Sequence, residues 1–298
     1  MSEHHHHHHH ASGKNLFITI LLNVVITLSQ IVGGIFSGSL ALLSDAMHNF
    51  SDVLALIIAW WANRLSAKDA TKEKTFGYKR AEILATLFNA SVLIGIGLFL
   101  IIEAFQKFYN PEPINSLIVI GLGILSIILN GVSVLLIKDD AHKNMNIKAA
   151  YLHLLTDVMT SVAVVVGGIL MYYYQLFWVD PLISLIIAFY LIWASFGLIK
   201  ESVAILMQFT PADIQLEDVV QSINILDSIE NVHHIHLWKL DDHRVHLEAH
   251  LDFKENITLE DASNVIDLLE DKLHEKFEIT HTTFQCEYNR KDNKAQII

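Results

Sequence analysis

Histidine and aspartate stand four residues apart twice in this chain, as His48-Asn-Phe-Ser-Asp52-Val and His153-Leu-Leu-Thr-Asp157-Val. On a helix that spacing puts both side chains on one face. Both copies lie inside long apolar stretches, where an ionisable residue is costly and is a functional-site hypothesis by default. If the two helices face each other, two imidazoles and two carboxylates meet. Four nitrogen and oxygen ligands suit a tetrahedral divalent ion, zinc first, and the lack of a thiolate there disfavours copper(I). The competing reading has these side chains pair across helices to lock a bundle. One His–Asp pair fits that role. Two pairs, with Asp45 a turn before His48, leave too much buried charge for it. Asn23, Asn89 and Asn130 read as interhelical hydrogen-bonding groups, and Glu103 as an interfacial charge near a helix end.

These motifs need membrane helices to hold them. A helix needs about 20 apolar residues to cross a bilayer. Six stretches qualify, roughly 15–37, 39–62, 81–106, 114–137, 148–174 and 176–199. The first is too long for a signal peptide and has no cleavage site after it. Gly38, the Pro111-Glu112-Pro113 run and Asp180-Pro181 mark breaks between them. Lys and Arg crowd the segments between spans two and three (Arg64 to Arg80) and between four and five (Lys138, Lys143, Lys148), while the other side has only Lys107. The expectation is a multi-pass protein of the cell (inner) membrane with both termini cytoplasmic.

Charge divides the chain too. The 298 residues are 52% hydrophobic, with mean hydropathy +0.40. Residues 1–200 hold 12 basic and 12 acidic side chains, so the whole net charge of −12 falls on residues 201–298, with 8 basic and 20 acidic. Disorder is excluded by the apolar content, and the lack of a basic stripe argues against nucleic acid as a partner. The expected domains are a His-rich segment 1–14, a six-helix membrane domain 15–206 and an acidic α+β domain 207–298. In the last, helices over 213–229 and 258–277 and strands over 232–240, 244–253 and 281–288 fit a ferredoxin-like sandwich. The run His4–His10 reads either as a purification tag or as a natural metal collector.

The acidic domain has further candidates. His233, His234 and His236 crowd its first strand, His246 and His250 share a face of the second, and His281, Cys286 and Glu287 lie on the last. For any single one a solvated strand face is the plainer reading; the group favours metal binding. Cys286 is the only cysteine, so no internal disulfide framework exists. His274 and His142 read as solvent-facing.

The six spans, the paired motifs, the basic second loop and the tail together resemble the cation diffusion facilitators. So do Gly38-Ser-Leu-Ala-Leu-Leu-Ser-Asp45-Ala, Phe76-Gly-Tyr-Lys-Arg-Ala-Glu82 and His236-Leu-Trp238. The chain is most similar to the zinc-type bacterial branch associated with cobalt–zinc–cadmium resistance. The resemblance implies a homodimeric metal/proton antiporter in the lipid bilayer that exports zinc, with cadmium and cobalt as further substrates. It implies His48, Asp52, His153 and Asp157 as the transport site and Asp45 one step behind the ligands. In the tail it implies His233, His250 and Glu287 as zinc ligands at a dimer interface, with help from His281 or Cys286. Zinc would then be substrate and regulatory ligand, with no organic cofactor. Lys74 and Tyr78 stand where some members have a loop histidine site, and Gln285 and Ser263 where some have tail histidines. No Gly-rich phosphate loop appears, which argues against an ATP-driven pump. Two alternatives use the same cluster: a membrane metallohydrolase, which lacks a His-Glu-x-x-His general base, and a metal sensor.

Overall fold

The computed structural model describes residues 10–141 and 145–297. Residues 4–9 of the histidine run, and His142, lie outside the described residues. Six helices are long and apolar enough to cross a membrane: α1 His10–Ser37, α2 Leu40–Ser66, α3 Ala81–Tyr109, α4 Ser116–Ala141, α5 Met145–Tyr174 and α6 Val179–Leu206. Their outward faces carry large apolar side chains such as Leu28, Phe99 and Trp193, all exposed, as a bundle bathed in lipid requires. Three of the breaks between these helices have a local reason. Gly38 takes φ 72° between α1 and α2, a left-handed conformation open to glycine at no steric cost. Pro111 and Pro113 separate α3 from α4, and Pro181 sits in the first turn of α6, where its missing N–H costs nothing. At Gly123 of α4, a Cβ would stand 2.5 Å from Val165 Cγ2 of α5. The two backbones approach closely there because glycine leaves room.

The N-terminal end of α2 is tied to the start of α6. Asp180 accepts hydrogen bonds from the Ser39 hydroxyl, from Leu40 N at 2.7 Å and from Ala41 N at 3.3 Å. The Leu40 and Ala41 N–H groups are backbone donors that a helix start otherwise leaves unpaired.

The chain forms two compact units, one built from residues up to Ile58 with Phe88–Gly197, the other from Ala59–Leu87 with the residues from Leu198 onward. The second unit includes a small sandwich. Its elements are α7 Leu216–Asn224, β1 Ile229–Asp241, β2 Arg244–Phe253, α8 Leu259–Phe277 and β3 Ile279–Glu287. The sheet order is β1-β2-β3, with β2 antiparallel to β1 and parallel to β3. The parallel step is bridged by α8, which Thr258 caps by accepting from Asp261 N at 3.1 Å. One apolar core runs from Val219 and Ile223 through Leu247 and Leu251 to Leu269 and Leu273.

The order helix-strand-strand-helix-strand is the expected one, with shifted bounds. The first helix is shorter than 213–229 because Ile214 is buried without being helical, and Ile229 pairs with Phe253 as the start of β1. The apolar period continued past both helix ends because these flanking residues face the same core.

Candidate metal centres

In the membrane unit α2 presents His48 and Asp52 to His153 and Asp157 of α5. His153 Nε2 lies 3.1 Å from Asp52 Oδ2 and 3.7 Å from Asp157 Oδ2. His48 Nε2 lies 3.5 Å from Asp157 Oδ1, and its Nδ1 lies 3.7 Å from Asp52 Oδ2. Two ligands each about 2.0–2.2 Å from a tetrahedral ion stand roughly 3.3–3.6 Å apart, so these separations are close to those of a shared ion. One atom each from His48, Asp52 and His153 fall within 4.8 Å of one another, and Asp157 borders this group from the buried side. Asp157 is fully buried, and neither of its carboxylate oxygens has a hydrogen-bond partner; both ring nitrogens of His48 share that condition. Buried polar atoms are normally paired. An unpaired buried carboxylate beside an imidazole with no hydrogen-bond partner is an arrangement that could hold a cation, through one nitrogen of each ring and the carboxylates around them.

Asp45 does not join them. Its carboxyl accepts from the Gln30 amide of α1 and the Thr160 hydroxyl at 3.0 Å, with the Ser161 hydroxyl at 3.4 Å. The Gln30 carbonyl in turn accepts from the Asn49 amide at 3.1 Å. This network ties α1, α2 and α5 one turn from the His48–Asp52 cluster. Tyr190 of α6 meets the His48 ring edge-on, with centroids 6.4 Å apart. Gln30, Asn49, Thr160 and Tyr190 were not singled out from the sequence. A glutamine in the middle of an apolar span was the available signal for the first. Asn130 donates to Ser126 of its own helix at 3.3 Å, and Ser126 makes the crossing bond to Ser161 at 2.8 Å. The interhelical bond expected of Asn130 is therefore relayed through a serine.

In the sandwich, His233, His250 and Glu287 meet, joined by Asp292 from beyond β3; one ligand atom of each falls within 4.8 Å of the others. A bulge in β1 between His233 and His236 allows this. His234 there takes φ 51° and stacks on the His250 ring at 4.6 Å, while His233 turns inward. His233 is fully buried, its two nitrogens without hydrogen-bond partners. Its Nε2 lies 3.6 Å from both Glu287 Oε2 and Asp292 Oδ2, and its Nδ1 lies 3.3 Å from Asp252 Oδ2. His250 Nδ1 lies 2.9 Å from Glu287 Oε1. Burial works to raise the Glu287 carboxyl, but Lys294, Gln285 and Arg290 outweigh it and hold it below the usual range. The Lys294 ammonium holds Asp292 down to about 2.

His281 and Cys286 stay apart from this group. The His281 ring packs against His246 at 4.8 Å; burial and that neighbour push His246 below its usual value. Cys286 is exposed, opposite Leu251 in register, and partial desolvation raises its thiol. His274 is exposed, as expected. Lys74 donates to the Tyr78 hydroxyl, so these two loop positions hold a paired cation and phenol.

The model of the cation efflux transmembrane domain matches residues 16–207, and that of the cation efflux protein cytoplasmic domain matches 211–289. The chain is 34% identical over 290 residues to the cadmium, cobalt and zinc/H(+)-K(+) antiporter of Bacillus subtilis (strain 168), covering 97% of this chain and 93% of that one. It is 32% identical over 284 residues to the cation efflux system protein CzcD of Alcaligenes sp. (strain CT14), with 95% and 89% covered. It is 30% identical over 295 residues to the zinc transporter ZitB of Pectobacterium atrosepticum, with 98% and 91% covered.

Proposed function

The chain belongs to the cation efflux family, and from that premise we propose that it exports divalent metal ions, zinc foremost, from the cytoplasm in exchange for protons. It is a multi-pass membrane transporter and not an enzyme. The observation that carries the reading is the Asp157 carboxylate, fully buried in a membrane bundle with both oxygens unpaired and two imidazoles 3.5 and 3.7 Å away. His48, Asp52, His153 and Asp157 hold the ion. Neutral imidazole binds metal and imidazolium does not, and histidine's ordinary pKa of about 6.5 lies near cellular pH. Protons arriving from the outer side therefore displace the ion, and a proton gradient drives export without ATP. Cadmium and cobalt, named for the relatives, are further substrates. The basic loops support cytoplasmic termini in the cell membrane. The match to the family's cytoplasmic domain supports a homodimer, with zinc at His233, His250 and Glu287 as a regulatory ligand.

The test is zinc flux into sealed vesicles containing the purified protein. Wild type moves zinc when a proton gradient is applied. Asp157→Ala inserts and folds yet moves none. Near-normal flux by that variant overturns the site.

A further inference from the structure

Beyond β3 the chain turns back over the sandwich metal centre and is fastened there. Arg290 Nη1 donates to Glu287 Oε1 at 2.8 Å. Lys294 Nζ donates to Asp252 Oδ1 at 2.7 Å and Glu287 Oε2 at 3.2 Å, and stands 2.6 Å from Asp292 Oδ1. The carbonyls of Ala295 and Gln296 accept from His234 N at 3.1 Å and Ile235 N at 2.8 Å, across the β1 bulge. Asp292 is held between these anchors, with Oδ2 turned to the unpaired Nε2 of the buried His233. The segment thus brings one more carboxylate and one cation to the same point.

We propose that the C-terminal segment sets the metal threshold of the sandwich site: Asp292 is its fourth ligand, and Lys294 is a built-in cation that competes with the metal for Glu287 and Asp292. The inference rests on the sandwich metal site proposed above. The three known candidates supply two imidazoles and one carboxylate, which leaves a tetrahedral ion one ligand short. The 3.6 Å from His233 Nε2 to Asp292 Oδ2 equals that to Glu287 Oε2, close to the spacing of two ligands on one ion. The ammonium balances the carboxylates while the metal is away. When the metal binds, the same oxygens turn to it, and Lys294 keeps Asp252 alone. The site therefore stays ordered when empty and fills only when zinc outbids an internal counter-ion.

The experiment is zinc titration by chelator competition on the full-length purified protein carrying Asp157→Ala and with His4–His10 all replaced by alanine, so that neither the membrane site nor the histidine run obscures the sandwich site. Lys294→Gln tightens binding about tenfold, the relief expected when one ammonium roughly 6 Å from a divalent ion is removed at water-like screening. Asp292→Asn weakens binding at least about tenfold, as losing a ligand must exceed the usual loss for a residue behind one. Lys294→Arg keeps the cation and stays near the starting affinity. If the background protein binds zinc and His233→Ala abolishes it, but Asp292→Asn and Lys294→Gln leave the affinity unchanged, the site stands and the threshold device falls. If the background protein binds no zinc at all, the sandwich site and this inference both fall.

Discussion

Asp45→Asn separates a positioning role from a ligand role at the membrane centre. Three donors converge on the Asp45 carboxyl: the Gln30 amide, the Thr160 hydroxyl and, at 3.4 Å, the Ser161 hydroxyl. An asparagine offers one oxygen in place of two and turns an amide donor towards the rest. Gln30 cannot reverse its own amide to compensate, because its carbonyl already accepts from Asn49. The Thr160 hydroxyl can fall back on the Asp157 carbonyl at 2.9 Å and Ser161 on Ser126 at 2.8 Å, so what is lost is a charged acceptor shared between helices, at a cost of about 1–2 kcal/mol. If that cost falls wholly on the setting of α2 against α5, zinc affinity drops about 5–30-fold. Zinc titration and vesicle flux of the full-length protein measure it, with Asp157→Ala as the reference for total loss. A drop as complete as the reference would make Asp45 a ligand. No change in either measurement would show that the network does not position the site.

Asp180→Ala leaves Leu40 N and Ala41 N without their acceptor and should destabilise the bundle by about 1–3 kcal/mol; a thermal melt unchanged from wild type would refute this. His48→Asp makes the membrane site richer in hard oxygen ligands, so transport of manganese should rise relative to zinc; unchanged ion ratios in vesicle flux would place selectivity elsewhere.

Much of the architecture was legible because lipid imposes a length. A run of apolar residues long enough to span a bilayer has few alternatives to a helix, and His48, Asp52, His153 and Asp157 announced themselves as ionisable groups within such runs. One helical period puts each His–Asp pair on one face, while the approach of the two faces is a finding of the structure. Contacts between distant segments left no such mark. Gln30 owes its role to a carboxyl on the next helix and an asparagine beside it, and nothing in the sequence around it points to either. Asp180 reads as a turn residue before proline, while its three donors belong to α2. Asp292 and Lys294 follow the last strand in a polar stretch that looks like any solvated terminus, and only the return of the chain over the β1 bulge gives them partners. His281 had a metal-capable side chain and a plausible strand, but register decided its company, and it faces His246.

The tie between Asp180 and the start of α2 also fixes an order of events during synthesis. Ser39, Leu40 and Ala41 find their carboxylate 141, 140 and 139 residues later in the chain. At about 5–20 residues per second, the ribosome takes on the order of ten seconds to deliver it. Until then the helix bearing His48 and Asp52 starts without the acceptor of its first backbone N–H groups. A nascent chain released before the sixth span would hold His48, Asp52, His153 and Asp157 but lack the carboxylate that ties the start of α2 to α6. The helix that carries half of the proposed metal site therefore gains its anchor only when the last of the six spans has been made.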